Sequence, residues 1–146
     1  MYRLIYAILL LLIVMHAHAA GDMTAQKPVE VSVELGDKKN RLKFYPNNFR
    51  FETGKLYKLI IKNPSQQKHY FTSTGLARSV FTRKVEIIKQ NKTIAEVKGN
   101  INEIEVYPGG TTEWWFVPVK TLKSTQLHCS IKGHSEAGMT GHISIY

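Results

Sequence analysis

Residues 128–141 read His-Cys-Ser-Ile-Lys-Gly-His-Ser-Glu-Ala-Gly-Met-Thr-Gly and lie close to the end of the chain. They contain the one cysteine of the sequence, Cys129, which is followed at equal five-residue steps by His134 and Met139. The segment from Ile143 to the end alternates apolar and polar residues, a pattern typical of a half-buried strand. The thiol, the imidazole and the thioether are therefore predicted to lie on one loop that enters the last strand.

These three side chains are all potential metal ligands. A thiolate, two imidazoles and a weakly bound thioether are the donors of a mononuclear blue-copper site. The second imidazole has to come from elsewhere in the fold, and His69, at the start of a possible strand, is the best candidate. Gly133 and Gly138 give the loop the backbone freedom to curl round an ion. The predicted ligands of one copper ion are His69, Cys129, His134 and Met139.

The remaining histidines are less suited to this site. Neighbouring side chains of a strand point to opposite faces of its sheet. If Cys129 points inward, His128 points outward, and the apolar residue that follows His142 turns that side chain outward as well. His16 and His18 lie in an N-terminal segment that is predicted to be removed.

The same residues leave three other interpretations open. Cys129 and two histidines could bind zinc, although zinc gains little from a thioether as its fourth ligand. The thiol could be the nucleophile of a Cys/His hydrolase, which also requires a histidine within hydrogen-bonding reach, an orienting residue and an oxyanion hole. None of these is evident in the sequence. The cysteine and the methionine could also be ordinary packing residues of a metal-free domain.

The rest of the chain predicts an all-β domain. Short apolar or alternating stretches are separated by turn-forming Gly, Pro and Asn residues, and no segment has a long 3.6-residue apolar period. This pattern is typical of an antiparallel sandwich or barrel. Residues 72–83 are ambiguous and could hold a helical turn, whereas residues 89–100 are predicted to form an exposed hairpin. The predicted strands are 29–35, 42–45, 56–62, 85–88, 101–107, 111–117 and 143–146.

Residues 1–19 have the composition of a secretory signal peptide. The basic residue Arg3 precedes a 12-residue apolar run, Leu4 to Met15, and small residues follow the run. Because the run is too short to span a membrane, we expect cleavage after Ala19, with cleavage after Ala20 or an uncleaved anchor as the alternatives. The predicted mature protein is one domain, residues 20–146, which is exported, most simply to a periplasm, and has no membrane span.

The sequence is basic, with 20 Lys and Arg residues against 11 Asp and Glu residues and a formal net charge of +9. No acidic residue lies between Glu52 and Glu86, a stretch that contains seven basic residues. A positive surface attracts an acidic partner and accelerates their encounter. The sequence has no Arg-rich stripe interleaved with base-stacking aromatic residues, which argues against a nucleic-acid partner.

The motif Cys-x4-His-x4-Met before a C-terminal strand, with an upstream histidine at a strand edge, resembles the ligand pattern of the cupredoxins, the type 1 blue copper proteins. The ligand spacing is similar to that of auracyanin and rusticyanin. The resemblance implies a cupredoxin-like Greek-key β-sandwich and one-electron transfer between Cu(II) and Cu(I), without enzymatic activity. It also implies that the cysteine and the two histidines form an equatorial plane and that Met139 is the long axial contact. Azurins have an asparagine directly after the first histidine, whereas this chain has Tyr70 there.

We therefore expect an exported blue-copper protein that carries single electrons. The expected partners are redox proteins of the cytochrome or oxidase type with an acidic docking surface, and the protein is expected to be a monomer. Two alternatives stay open. The same four ligands would serve a periplasmic copper chaperone that delivers the ion to an exported oxidase, whereas a metal-free cupredoxin-like module would need none of them.

Overall fold

The computed structural model describes residues 21–146. The predicted signal peptide, residues 1–19, lies outside the described residues. Within residues 21–146, no helix is both long enough and apolar enough to cross a membrane.

Almost all regular structure in the described chain is β-strand. The exceptions are a 3₁₀ turn, Met23–Ala25, and one short helix, α1 (Thr74–Ala77). The strands are β1 (Val29–Leu35), β2 (Phe44–Tyr45), β3 (Asn48–Phe51), β4 (Tyr57–Lys62), β5 (His69–Thr72), β6 (Val80–Lys89), β7 (Lys92–Val97), β8 (Glu103–Val106), β9 (Thr111–Pro118), β10 (Leu122–His128) and β11 (Thr140–Ile145).

The strands form a sandwich of two sheets. One sheet has six strands in the order β2-β1-β4-β9-β6-β7, and the other has five in the order β3-β11-β10-β5-β8. The chain alternates between the sheets, so strands distant in sequence become neighbours. For this reason β1 pairs in parallel with β4, and β3 pairs in parallel with β11. The prediction of an all-β sandwich is confirmed. The two parallel pairs differ from the purely antiparallel arrangement that the sequence favours.

Aromatic side chains fill the space between the sheets. Trp114 and Phe116 of β9 are buried and contact aromatic rings from the opposite sheet. The ring centroids of Phe51 and Phe116 lie 5.1 Å apart, and those of Phe71 and Trp114 lie 6.5 Å apart, both edge-on. Edge-on pairs of this kind add to the stabilisation that burial alone provides. Trp115 lies between the two buried rings in sequence and is only partly buried, because strand alternation turns it to the other face.

Several strand bounds differ from the sequence-based expectation, most of all those of β3 and β6. The sequence predicts no strand at residues 48–51, because consecutive asparagines are typical of a turn. Strand β3 forms there nevertheless, since Phe49 and Phe51 face the core and β11 supplies backbone partners. Strand β6 begins at Val80 rather than at the predicted residue 85, because its register with β9 continues back to that point.

The expectations for the two irregular stretches are confirmed. Residues 89–100 contain the turn of the hairpin formed by β6 and β7, and every residue of β7 is exposed. The helical turn expected within residues 72–83 is α1.

Three strand ends meet at one end of the sandwich. Strand β5 begins at His69, β10 ends at His128, and β11 begins at Thr140. The loop from Cys129 to Met139 joins β10 to β11. Because β5 and β10 are antiparallel neighbours, the chain beyond β10 continues alongside β5 in the direction of its first residue. This topology brings the ligand loop and His69 to the same place.

Candidate metal centre

The structure brings three of the four predicted ligands together. The potential ligand atoms of His69, Cys129 and His134 all lie within 4.8 Å of one another. His69 Nδ1 is 3.3 Å from His134 Nδ1, and Cys129 Sγ is 3.4 Å from His134 Nδ1. Donor atoms bound to one ion at about 2.0–2.3 Å lie roughly 3–4 Å apart. The three side chains therefore already have nearly the separations that a single ion requires.

Cys129 is held by its strand and by a hydrogen bond to its sulfur. Alternation along β10 turns Leu127 and Cys129 inward, and the cysteine is 1% exposed. The backbone N–H of Tyr70 donates to Cys129 Sγ at 3.3 Å. An N–H directed at sulfur stabilises the negative charge of a thiolate ligand. The cysteine is thus placed and polarised by residues of two different strands.

His69 is 1% exposed. Its burial, and after that the nearby His134, lowers the pKa of this imidazole to about 4. At neutral pH the ring is therefore uncharged and has a lone pair available for a metal ion. Gly36 packs against the ring, because a Cβ at this glycine would lie 3.0 Å from His69 Nε2.

The loop after Cys129 is closed by its own hydrogen bonds. The N–H of His134 donates to the carbonyl of Ile131 at 3.0 Å, and the N–H of Met139 donates to the carbonyl of His134 at 2.9 Å. The N–H of Cys129 donates to the carbonyl of Met139 at 3.2 Å. The Ser135 hydroxyl donates to the Cys129 carbonyl at 2.8 Å. These bonds hold the loop in a compact form.

The two loop glycines adopt backbone conformations that other residues avoid. Gly133 has φ = +87° and Gly138 has φ = +102°, both in the region that favours glycine. The N–H of Ala137 donates to the Gly133 carbonyl at 3.1 Å, so the tight turn is itself hydrogen-bonded. Both positions therefore adopt conformations that require the backbone freedom of glycine, as the sequence predicts.

Met139, the fourth predicted ligand, is fully buried at 0% exposure. It belongs to the same apolar cluster as Cys129, and its backbone is bonded to both Cys129 and His134. A thioether is uncharged and polarisable, so it is tolerated in such surroundings. The role of Met139 as a ligand stays a prediction.

Among residues 21–146, the remaining histidines lie outside the group. His142 is exposed, as strand alternation predicts. His128 is half-buried, and its Nδ1 is enclosed without a hydrogen-bond partner among the described residues. It is therefore more enclosed than the outward position expected for it. The cluster of potential ligands contains neither of the two.

Much of the positive charge between Glu52 and Glu86 is paired in the folded chain. Lys68, which directly precedes His69, lies 2.8 Å from a carboxylate oxygen of Glu105. The other ion pairs in this stretch are Lys55–Glu52, Lys58–Glu30 and Lys84–Glu86. Glu30 and Glu105 reach this basic run from distant strands, whereas Glu52 and Glu86 lie at its two ends.

The contact between a thiol and an imidazole is also what a Cys/His hydrolase requires. However, Cys129 is 1% exposed, and the nitrogen of His134 nearest its sulfur also faces the second imidazole. A thiol nucleophile has to reach the carbonyl of a substrate, which a buried side chain cannot do. The arrangement therefore favours the binding of an ion over nucleophilic attack.

Two residues that contact the site or the segments that carry it had no usable sequence signal. Gly36 follows an alternating strand, where a glycine indicates only a turn. Glu103 accepts hydrogen bonds from the hydroxyl groups of Thr72 and Ser130, at 3.1 and 2.9 Å. Both residues act across strands that are distant in sequence. Only the register of the sheets reveals these contacts.

A two-sheet sandwich with a cysteine and two histidines gathered at one end is the arrangement of the cupredoxins, and the chain has the cupredoxin fold. Auracyanin from the photosynthetic bacterium Roseiflexus castenholzii matches it with a TM-score of 0.52 at 14% sequence identity. The match covers 83% of this chain and 99% of that chain. No family model matches the sequence, and no curated protein matches it.

Larger proteins with the same fold match over a part of their length. The multicopper oxidase from Campylobacter jejuni has a TM-score of 0.57 at 17% identity, over 83% of this chain and 31% of that chain. The Cu-containing nitrite reductase from Thermus scotoductus has a TM-score of 0.61 at 11% identity, over 83% and 32%. This chain thus spans about a third of the length of either protein. At these identities the likeness shows the fold.

Proposed function

We propose that the protein binds one copper ion and carries single electrons. His69, Cys129 and His134 would hold the ion, and Met139 would be the fourth and weakest donor. The observation that carries this proposal is the gathering of two imidazole nitrogens and one thiol sulfur within 4.8 Å, with His69 and Cys129 each 1% exposed. Copper bound there would supply one-electron chemistry by alternating between Cu(II) and Cu(I).

The donor set favours copper over zinc. A structural zinc site normally has four strong ligands in a tetrahedron. Among the described residues, the cluster contains three potential ligands of the His, Cys, Asp and Glu types and no fourth. A thioether is a poor fourth ligand for zinc. Copper sites with two histidines and one cysteine, in contrast, accept a long axial methionine. Met139, which lies on the same loop, fits the second case.

The residues of this chain would contribute rigidity and exclusion of water. The ligand loop is hydrogen-bonded to itself, and Tyr70 donates to the sulfur of Cys129. Donors fixed in this way change their positions little when the charge of a bound ion changes. A small rearrangement of this kind is what rapid electron transfer requires.

The burial of the site favours a retained ion over a delivered one. A protein that hands copper to a partner has to expose its ligands to that partner, whereas His69 and Cys129 are almost fully enclosed. Only His134 among the three is partly exposed, which offers an edge for electron exchange. Copper transfer to an acceptor protein, without reversible electron exchange, would favour the copper chaperone instead.

The setting of this activity is also part of the proposal. The apolar run and small residues within residues 1–19 support export through a signal peptide. The net charge of +9 supports redox partners, of the cytochrome or oxidase type, with acidic docking surfaces. We further propose that the exported protein is monomeric.

The experiment that tests the proposal is a Cu(II) titration of residues 20–146, followed by visible absorption, beside the variant Cys129→Ser. We expect an intense band that saturates at about one copper per chain and is absent from the variant, because the band requires a thiolate ligand. Weak absorption in the unaltered protein, or an equal band in Cys129→Ser, would contradict the proposed site. A zinc titration without colour but with increased thermal stability would favour zinc.

A further inference from the structure

A carboxylate lies where the strand of His69 meets the strand that leads to Cys129. Glu103, on β8, accepts hydrogen bonds from the Thr72 hydroxyl at 3.1 Å and from the Ser130 hydroxyl at 2.9 Å, both at Oε2. Thr72 ends the strand that His69 begins, and Ser130 directly follows Cys129. One oxygen atom therefore joins the two chain segments that carry these potential ligands.

The backbone pairing between these two segments is short. In the described chain, the ladder between β5 and β10 consists of one residue pair, His128 opposite Thr72, whereas β10 pairs with β11 along most of its length. The Ser73 hydroxyl adds a bond to the Gln126 carbonyl at 2.8 Å, and the Tyr70 N–H adds its bond to the cysteine sulfur. Hydrogen bonds that involve side chains therefore provide much of the connection between β5 and β10.

We propose that Glu103 is a positioning residue of the metal centre. By binding Ser130 and Thr72 at once, it keeps the cysteine loop against β5 and so preserves the hydrogen bond from Tyr70 to Cys129 Sγ. The effects of Glu103 substitutions on the spectra of the copper-loaded protein rest on the copper site proposed above. The positioning itself is a property of the metal-free chain and can be measured without copper.

Glu103 also carries a charge that no described cation pairs with. The ion pairs of residues 21–146 do not include it. A negative charge beside the site favours the more positive state of a bound ion and so lowers its reduction potential. The two effects are separable, because the bridge requires only an acceptor oxygen whereas the effect on the potential requires the charge.

Two substitutions of this residue distinguish the bridge from the charge. Glu103→Gln keeps an acceptor oxygen and removes the charge, whereas Glu103→Ala removes both. In the metal-free protein, we expect Glu103→Ala to accelerate hydrogen exchange at the Tyr70 amide and the reaction of Cys129 with a thiol reagent, each about tenfold, as the loss of such bonds implies. Glu103→Gln should stay within about twofold of the unaltered protein for both rates.

The copper-loaded protein provides a second readout. We expect Glu103→Ala to shift the visible band and the electron paramagnetic resonance spectrum, because the cysteine loop moves, and Glu103→Gln to leave both in place. Both variants should raise the reduction potential, since each removes the negative charge. The control Glu136→Gln removes an exposed, unpaired carboxylate from the same loop and should leave the exchange rate, the thiol reactivity and the spectrum unchanged.

Unchanged exchange and thiol reactivity in Glu103→Ala would overturn the proposal, and so would equal effects of Glu103→Ala and Glu103→Gln on these rates. Ser130→Ala should reproduce part of the effect of Glu103→Ala, and the double variant should add nothing further, because both changes break the same bridge. If the unaltered protein gives no intense band with Cu(II), the copper proposal fails. The measurements on the metal-free chain still decide the role of Glu103.

Discussion

The ring of His69 is held in part by a residue without a side chain. Gly36 has φ = +72°, and a Cβ there would lie 3.0 Å from His69 Nε2. Gly109 has almost the same backbone angle, φ = +73°, but nothing lies within 4 Å of the position of its Cβ. The two glycines therefore share the same backbone requirement, and a Cβ at Gly36 would in addition lie 3.1 Å from Ser65 Cβ and 3.3 Å from the Arg41 carbonyl oxygen. Gly109 has only the positive φ, whereas Gly36 has the positive φ and also packs against the imidazole of a potential ligand.

The variants Gly36→Ala and Gly109→Ala separate these two effects. Both should lower the free energy of unfolding by about 1 kcal/mol or more, because an alanine at positive φ is strained. Only Gly36→Ala should also weaken Cu(II) binding, since the added methyl group displaces the imidazole. Urea denaturation and copper titration measure the two quantities. Equal copper affinities in the two variants would show that the contact with His69 does not reach the site.

Replacement of the predicted axial ligand tests the weakest of the four assignments. Met139→Leu keeps nearly the same volume in a fully buried position, so it should cost less than about 1.5 kcal/mol of stability. We expect copper to remain bound and its reduction potential to rise, because loss of the thioether donor disfavours Cu(II). Cyclic voltammetry measures the change. Met23→Leu, at an exposed methionine, is the control, and an equal potential in both variants would remove Met139 from the ligand set.

Among the strands, burial rather than β-structure itself determines how much each contributes to stability. Strand β4 alternates buried and partly exposed residues between two neighbouring strands, whereas all six residues of β7 are exposed at the edge of the same sheet. Ile61 of β4 is 0% exposed, and Ile94 of β7 is 60% exposed. The edge strand completes a hairpin but adds little to the core.

The same substitution in both strands measures this difference. Ile61→Ala should lower the free energy of unfolding by about 2–5 kcal/mol, because it removes buried methyl groups and leaves a cavity. Ile94→Ala should change it by less than about 0.5 kcal/mol, apart from a small loss of strand propensity. Chemical denaturation of the two variants provides the comparison. A loss above 2 kcal/mol in Ile94→Ala would mean that a partner or a second copy covers β7 in solution.

What the sequence predicts well is local. Cys129, His134 and Met139 lie on one loop, so their spacing alone suggests a shared role, and the alternation of the strands can be read from neighbouring residues. The contributions of Gly36 and Glu103 could not be predicted, because they depend on which strands become neighbours in the two sheets. The sequence names His69 as the candidate second imidazole by its position at a strand start. Its distance to His134 follows only from the pairing of β5 with β10.

Considered as a whole, the molecule builds its site from segments far apart in the chain and encloses it in the common core. The sandwich brings the start of β5 and the loop between β10 and β11 to one end. Cys129 and Met139 belong to the same apolar cluster as the core aromatic residues. The site therefore forms as the chain folds. For this reason, protonation of a side chain in the site should change the free energy of unfolding of the whole domain.

The stability of the metal-free protein should therefore depend on pH through His69. Burial and the nearby His134 lower the pKa of His69 from its ordinary value of 6.5 to about 4 in the folded chain. Between these two values the unfolded chain binds a proton that the folded chain does not, so the free energy of unfolding falls as the pH decreases. The slope from this residue should reach at most about 1.4 kcal/mol per pH unit. Urea denaturation at pH 5.0–7.0 measures it, and His69→Gln should flatten the curve while the exposed His142→Gln leaves it unchanged. Equal slopes in His69→Gln and in the unaltered protein would show that His69 is protonated as readily in the folded chain as in the unfolded one.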